Sequence, residues 1–147
     1  PRVLLITKLL THEDMMRLHY TGDCYLSADH GEGWSRPLQE ALLMAKPAIS
    51  TARGGIHEYL DESFYYPVSS TYVPVVQQPW IPLYEGSQNW AQIDKEEFKN
   101  RMKFAFLNKN TAQIKGYKAK DFIKDKFSYH TVGTSMRRRI EQIIKAL

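Results

Sequence analysis

The sequence predicts an α/β fold in which a mainly parallel sheet is flanked by helices and followed by further helices at the carboxy terminus. Short apolar runs of strand character alternate with amphipathic runs of helical period as far as residue 68, an alternation typical of βαβ units. The length of 147 residues suits a single hydrophobic core. A content of 43% apolar and 24% charged residues is that of a folded globular domain.

The chain is predicted to begin with a strand, a helix and a second strand. Residues 3–6 are apolar and include the β-branched Val3 and Ile6, which favours a buried strand. Thr11 followed by Asp14 resembles a capping box, so a helix is expected from there to Tyr20, with Gly22 ending it. The apolar run 24–28 then predicts another buried strand.

A loop and a helix follow this second strand. Residues 28–37 have loop chemistry, and Ser35 or Arg36 is the predicted cap of a helix that has Pro37 in its first turn and ends at Lys46. The residues expected to face the core at helical spacing are Leu38, Ala41, Leu42 and Ala45. This loop and the loop after Ser50 should lie at the carboxyl ends of the strands, where ligands bind in such sheets.

The middle of the chain is predicted to hold two more strands and a long ordered loop. Strands are expected at 47–50 and 64–68, with a turn at 53–55 and a short helix at 56–60 between them. Residues 69–93 are rich in prolines and aromatic residues and have no sustained period. We therefore expect an irregular loop that packs against a neighbouring element.

Three helices are predicted at the carboxy terminus, beginning near Asp94, near Thr111 and before Met136. The first two should bury one face each, formed by Phe98, Met102, Ala105 and Phe106 in the first and by Ala112, Ala119, Phe122 and Ile123 in the second. The last is strongly amphipathic, with a stripe formed by Met136, Ile140, Ile143, Ile144 and Leu147. We divide the domain into a sheet part, 1–93, and a helical part, 94–147.

The charge is distributed unevenly along the chain. Residues 1–94 hold 6 Lys+Arg against 11 Asp+Glu, whereas residues 95–147 hold 14 against 5. A basic helical segment is usually a solvated face, although the cluster 137–139 also allows attraction to an anionic membrane surface. No stacking platform or motif for nucleic acid accompanies it, so nucleic acid is not an expected partner. The sequence has no run long enough to span a bilayer and no signal peptide, which predicts a cytoplasmic protein.

The stretch with the clearest chemistry contains two carboxylates separated by seven residues, Glu32 and Glu40. Glu32 lies before the predicted helix and Glu40 about one turn inside it, so both can point toward its amino terminus. Free backbone N–H groups there attract a diphosphate, and Gly33 allows close approach. Carboxylates accept hydrogen bonds from paired sugar hydroxyls, so the pattern suits a nucleotide sugar. Helix capping and surface exposure are the alternative explanation.

The stretch GEGWSRPLQEALLMAKPAISTARGGIHEYLD resembles the signature of the large retaining GT-B glycosyltransferase family that includes glycogen synthase and sucrose synthase. The resemblance continues in THEDMMRLHYTGDCYLSAD, NWAQIDKEEFKNRM and KFSYHTVGTSM. It implies that the chain is the carboxy-terminal, donor-binding half-domain of a GT-B fold, with a Rossmann-like sheet. It also implies an amino-terminal domain outside this chain, which supplies the acceptor site and to which the last helix crosses.

The same resemblance implies residue roles. Glu32 would contact the donor hexose and stabilise the charged transition state, and Glu40 would hold the ribose hydroxyls. Donor contacts are also implied for the backbone at Gly33, Trp34, Ser35 and Arg36. Ser35 and Arg36 stand where glycine and leucine are common in the family, which leaves the base and hexose of the donor open.

The predicted activity is transfer of a hexose from a nucleotide-diphosphate sugar, such as a UDP-sugar, to a glycan, lipid or small-molecule acceptor with retention of configuration. Polysaccharide biosynthesis is the setting that this implies. No cofactor is expected, and the histidines show no metal-ligand spacing. A non-catalytic nucleotide-sugar-binding or scaffolding module is the alternative, and a GT-B epimerase would need a different carboxylate and histidine set. His30 and the pair Gly54 and Gly55 are further candidates, with an exposed loop histidine and a simple turn as alternatives.

Overall fold

The protein is described by a computed structural model that covers residues 2–76, 81, 83–84 and 86–147. Five α-helices, one 3-10 helix and five strands are formed in this part of the chain. The first group comprises α1 (His12–Thr21), β1 (Tyr25–Ser27), α2 (Arg36–Leu43), β2 (Ala48–Thr51), the 3-10 helix Gly54–Glu58 and β3 (Tyr66–Val68). The second comprises β4 (Ser70–Pro74), β5 (Asn89–Ile93), α3 (Lys95–Leu107), α4 (Lys109–Phe127) and α5 (Tyr129–Ala146).

The main sheet is parallel and has the order β1-β2-β3. Its register pairs Tyr25 with Ala48 and Ile49 with Tyr66. All four residues of β2 are buried, as expected for a central strand covered on both faces. The predicted fold class is therefore confirmed: a parallel, Rossmann-like sheet is flanked by helices and followed by carboxy-terminal helices, consistent with a GT-B half-domain.

The strand predicted at residues 3–6 is not formed. Val3, Leu4, Leu5 and Ile6 are all exposed, and the segment has no regular structure. The strand character of these residues is a local property, whereas a strand in a sheet also needs a neighbour with which to pair. The strand predicted at residues 24–28 does form, as β1, but it is not buried as predicted: in the described part of the chain it is the edge strand of the parallel sheet, and Leu26 on it is exposed.

The first two helices begin as predicted. Thr11 caps α1 by accepting a hydrogen bond from the backbone N–H of Asp14, and Gly22 follows its last turn. The predicted inward residues of the second helix are all buried, namely Leu38, Ala41 and Leu42 within α2 and Ala45 just beyond its end. The helix nevertheless ends at Leu43 and not at Lys46, because Ala45 adopts a positive φ of 57° that no helix can continue through.

Residues 69–93 contain a β-hairpin rather than an irregular loop. Strands β4 and β5 pair antiparallel, from Ser70 opposite Ile93 to Pro74 opposite Asn89. Hairpin strands are usually joined by a few residues. The connection here is far longer, so the sequence pattern did not indicate that these two strands pair. The predicted packing of this segment against a neighbour is confirmed by contacts described below. Pro79, Trp80 and Pro82, on which part of the loop prediction rested, lie outside the described residues.

The three carboxy-terminal helices are confirmed, and α3 and α4 cover the sheet and α2. Asp94 caps α3 by accepting hydrogen bonds from the N–H groups of Glu96 and Glu97. Ala112, Ala119 and Ile123 on α4 are buried as predicted. Met102 and Phe106 on α3 are exposed, contrary to the prediction, because α3 uses Ala105 and Phe98 to meet β2 and β3.

The apolar stripe on α5 lies in solvent in this structure. Met136, Ile140, Ile143, Ile144 and Leu147 are all exposed. The helix is nonetheless regular, with Ser128 accepting a hydrogen bond from the N–H of Thr131 at its start. Within the described residues, no helix combines the length and apolar character required to cross a bilayer.

Candidate functional site

The candidate site lies where β1 ends and α2 begins, at the carboxyl edge of the parallel sheet. The loop between them holds Glu32, Gly33 and Trp34, and α2 carries Glu40 in its second turn. In open parallel sheets this edge is where ligands bind. The structure thus brings the predicted site residues together on one loop and one short helix, and their roles toward a ligand stay predictions.

The backbone of Glu32 and Gly33 is held by two glycines at the start of the 3-10 helix. The N–H of Gly55 donates to the carbonyl oxygen of Glu32 over 3.1 Å. A Cβ at Gly55 would lie 1.7 Å from the Gly33 oxygen, and one at Gly54 would lie 2.2 Å from the Glu32 oxygen. Gly54 also has a φ of 81°, which side chains disfavour. The glycine pair, which the sequence alone could not distinguish from a simple turn, therefore fixes the loop that carries Glu32.

The indole of Trp34 packs on two aromatic rings, although the residue remains 38% exposed. It stacks on Tyr59 with ring centroids 4.3 Å apart and meets the edge of Phe127 at 5.2 Å. Its Nε1–H donates to the side chain of Gln39 over 3.0 Å, and the Tyr59 hydroxyl donates to the Trp34 carbonyl oxygen over 2.6 Å. Because its ring and carbonyl are engaged, Trp34 anchors the loop and leaves its backbone N–H as its contribution to a site.

A matched pair of tyrosine variants tests the strength of this anchor. Tyr59→Phe leaves the Trp34 carbonyl without its donor and is expected to lower the free energy of unfolding by about 1 to 2 kcal/mol. Tyr65→Phe removes a buried hydroxyl with no hydrogen-bond partner among the described residues, so it is expected to be neutral or stabilising by up to about 1 kcal/mol. Denaturant unfolding measures both. An equal loss in the two variants would contradict the assignment.

The start of α2 is adapted to present backbone N–H groups. Ser35 is 2% exposed and has a φ of 55°, and its hydroxyl makes no capping hydrogen bond with a described residue. The first N–H groups of a helix lack intrahelical partners, and the helix dipole is positive there. With no side-chain cap, these groups remain available to an anion. Pro37 within the first turn removes one N–H without cost to the helix.

The carboxylate of Glu40 lies between two cationic or potentially cationic groups. One oxygen is 3.8 Å from the Arg36 guanidinium and the other is 3.7 Å from Nε2 of His19 on α1. The Glu40 side chain is 26% exposed, so it remains accessible to a ligand. The Arg36 side chain is 82% exposed, and such solvated pairs contribute little to stability. Glu40 is therefore not held in a strong structural ion pair.

The charges of three carboxylates act on the Tyr25 hydroxyl. Burial is the largest cause that raises the pKa of Tyr25, while a hydrogen bond with the Ser27 side chain lowers it. Negative charge raises this pKa further, and that charge belongs to Asp29, Glu32 and Glu40. Both predicted glutamates thus act on one hydroxyl. A concentration of carboxylates at the end of a parallel sheet suits a ligand with many hydroxyl groups.

The sequence did not single out Asp29 as a site residue. Its Oδ1 accepts a hydrogen bond from the Ser27 hydroxyl over 2.5 Å, and its carbonyl oxygen accepts one from Thr51 over 3.0 Å. Its Oδ2 is buried without a partner among the described residues. The available signal was its place directly after the strand that ends at Ser27, the edge where ligands bind.

The β4–β5 hairpin packs on the site loop through His30. The His30 ring stacks on Trp90 with centroids 4.0 Å apart, and Nδ1 lies 2.6 Å from the carbonyl oxygen of Ala91. The N–H of Ala91 donates back to the His30 carbonyl oxygen over 3.0 Å. On β4, the other strand of the hairpin, the carbonyl oxygen of Ser70 accepts a hydrogen bond from the Arg53 guanidinium over 3.0 Å. His30 is therefore a structural contact of the hairpin, although the residue as a whole remains exposed.

No group of three or more His, Cys, Asp or Glu side chains in the described ranges is arranged to hold a metal ion. Cys24 is partly buried, and desolvation followed by the charge of Asp23 raises its pKa to about 11. A thiol with so high a pKa is a poor nucleophile at neutral pH.

The fold is shared with a solved structure. Sucrose-phosphate synthase from Thermosynechococcus elongatus superposes with a TM-score of 0.67 at 15% sequence identity. The alignment covers 94% of this chain and 29% of that one, so the chain spans less than a third of the protein it matches. No protein family matches the sequence, and no protein of curated function matches it. The similarity therefore concerns the fold.

Proposed function

We propose that the chain is the donor-binding part of a retaining hexosyltransferase, which transfers a hexose from a nucleotide-diphosphate sugar to a glycan, lipid or small-molecule acceptor. The observation that carries this proposal is the placement of Glu32 and Glu40 on either side of the uncapped start of α2. The fold that the chain shares with sucrose-phosphate synthase supports the proposal.

The start of α2 would receive the diphosphate. The N–H groups there, with the positive end of the helix dipole, stabilise negative charge that develops on the leaving group. Gly33 has open space around the position of a Cβ, so the phosphates can approach its backbone closely. The donor-binding backbone in this proposal comprises Gly33, Trp34, Ser35 and Arg36.

The two glutamates would take different hydroxyl groups of the donor. Glu40, on α2 and 26% exposed, would accept hydrogen bonds from the ribose hydroxyls. Glu32, which the glycine pair fixes in the loop, would contact the hexose and stabilise positive charge in the transition state. Departure of the diphosphate on the face that the acceptor attacks would give retention.

The exposed stripe on α5 fits the wider enzyme in this proposal. A stripe of this size in solvent marks a contact with another surface. We assign it to the domain that would supply the acceptor site, with residues 1–93 as the sheet part and 94–147 as the helical part of the donor domain.

Calorimetric titration of UDP, GDP and ADP, and of their hexose conjugates, tests the proposal. The nucleotides of one base are expected to bind. Glu40→Ala is expected to weaken this binding about 10- to 100-fold, because charge-assisted hydrogen bonds are lost. Glu141→Ala on α5 removes the same charge from a solvent-exposed site and should leave binding unchanged. Absence of binding for every nucleotide, in the chain and in the full-length protein, would refute the proposal.

Turnover separates an enzyme from a binding module. Glu32→Gln is expected to keep nucleotide binding and to lower hexose transfer by the full-length protein by at least about 100-fold, the usual effect of losing one electrostatic stabiliser. Nucleotide-sugar binding without transfer to any acceptor in the unaltered protein would instead support a non-catalytic module.

A further inference from the structure

The imidazole of His19 is buried with an unused polar atom. Its side chain is 8% exposed, and Nε2 has no hydrogen-bond partner among the described residues. Burial of a polar atom without a partner costs free energy, so buried polar atoms usually have a hydrogen-bond partner, and an exception calls for an explanation. The Glu40 carboxylate lies close to Nε2, with one oxygen at 3.7 Å.

This distance is longer than a hydrogen bond, but contacts join the elements that set it. A hydrogen bond from nitrogen to oxygen spans about 2.7 to 3.2 Å. The last turn of α1 is joined to the segment that follows α2 by Lys46, which donates to the carbonyl oxygen of Tyr20 over 2.7 Å. The His19 ring also packs near Tyr25, with centroids 6.0 Å apart. The gap is less than about 1 Å beyond hydrogen-bond range, so a small rotation of the Glu40 side chain would be enough to close it.

The two neighbours of the Glu40 carboxylate differ in their power to orient it. Arg36 is 82% exposed and free to move in water, so it holds Glu40 weakly. The imidazole is buried and confined by α1, so a hydrogen bond from it would set the carboxylate in one orientation. Groups that orient a binding carboxylate commonly act in this way, and bonds in empty sites often tighten when ligand binds.

We propose that His19 is a positioning residue for Glu40. With the nucleotide bound, the Nε2–H of His19 donates to one Glu40 oxygen and turns the carboxylate so that it accepts hydrogen bonds from both ribose hydroxyls. This inference rests on the proposed function, since it assigns Glu40 to the ribose. It also gives the buried Nε2 its missing partner.

The test compares a ribonucleotide with its deoxy analogue. UDP and 2′-deoxy-UDP, or the same pair of GDP or ADP if that base binds, are titrated into the unaltered chain, His19→Gln and His19→Met. Gln and Met have similar size, but only Gln keeps an N–H donor. The Kd of the deoxy nucleotide divided by the Kd of the ribonucleotide measures recognition of the ribose 2′-hydroxyl. We expect His19→Met to lower this ratio about 5- to 10-fold, and His19→Gln to restore most of it.

A role in packing alone would give a different result. It would weaken both nucleotides by the same factor, and an unchanged ratio in His19→Met would overturn the inference. Equal ratios for the Gln and Met variants would do the same. His12→Met, on the exposed part of α1, serves as the matched control, and circular dichroism verifies folding of each variant.

Failure of the proposed function is distinguishable from failure of this inference. If the unaltered chain and the full-length protein bind no nucleotide, the proposed function is wrong. If nucleotide binds and Glu40→Ala abolishes the preference for ribose while His19→Met keeps it, the function stands and the positioning role of His19 is wrong.

Discussion

Gly55→Ala is expected to abolish nucleotide binding and to lower the free energy of unfolding by about 3 kcal/mol or more. The added Cβ would lie 1.7 Å from the Gly33 carbonyl oxygen, and no real Cβ approaches backbone so closely. Neither partner is the flexible end of a side chain, so the loop must move. Such movement breaks the hydrogen bond from the Gly55 N–H to Glu32 and displaces Glu32 and Gly33 together.

Gly31→Ala is the matched control for this variant. Gly31 lies in the same loop and has open space where a Cβ would stand, so the substitution is expected to change stability by less than about 1 kcal/mol. Denaturant unfolding gives the stability of both variants, and calorimetric titration gives their nucleotide affinity. If Gly55→Ala binds nucleotide as the unaltered chain does, the position of the Glu32 loop is irrelevant to the site.

Gly116→Ala is expected to destabilise the fold by about 3 kcal/mol or more, although alanine favours a helix. Gly116 lies where α4 packs on the end of α2, and its Cβ would be 2.3 Å from the Ala45 carbonyl oxygen. The neighbouring Gln113 side chain donates to that same oxygen over 2.8 Å. The helices must separate to admit the methyl group, which would also open the core around Leu42 and Ala119.

Gly133 offers the opposite case within α5. Apart from its chain neighbours and the backbone of its own helix, no described atom lies within 4 Å of the position of its Cβ. Gly133→Ala therefore gains helix propensity alone and is expected to stabilise by up to about 1 kcal/mol. Thermal and denaturant unfolding of the two variants measure the contrast. A small effect in Gly116→Ala would show that α4 can shift away from α2 at little cost.

Much of the local structure followed from the sequence. Thr11 and Asp94 were predicted as helix starts, because their side chains satisfy N–H groups only a few residues away. The buried face of α2 followed from helical spacing. An irregular loop was predicted where the hairpin forms, and a strand was predicted at residues 3–6, which are unpaired. Both predictions were wrong because strand pairing depends on partners distant in the chain.

For the candidate site, the sequence by itself determined which residues share one loop and the start of one helix, since the spacing from Glu32 to Glu40 spans a single strand-to-helix turn. Only the tertiary structure decided what holds them. The close approach of Gly55 to Gly33, the packing of the hairpin on His30 and the position of His19 beside Glu40 each join segments distant in the chain. Sequence periodicity reports the face on which a side chain lies, whereas contacts between elements arise when the faces pack.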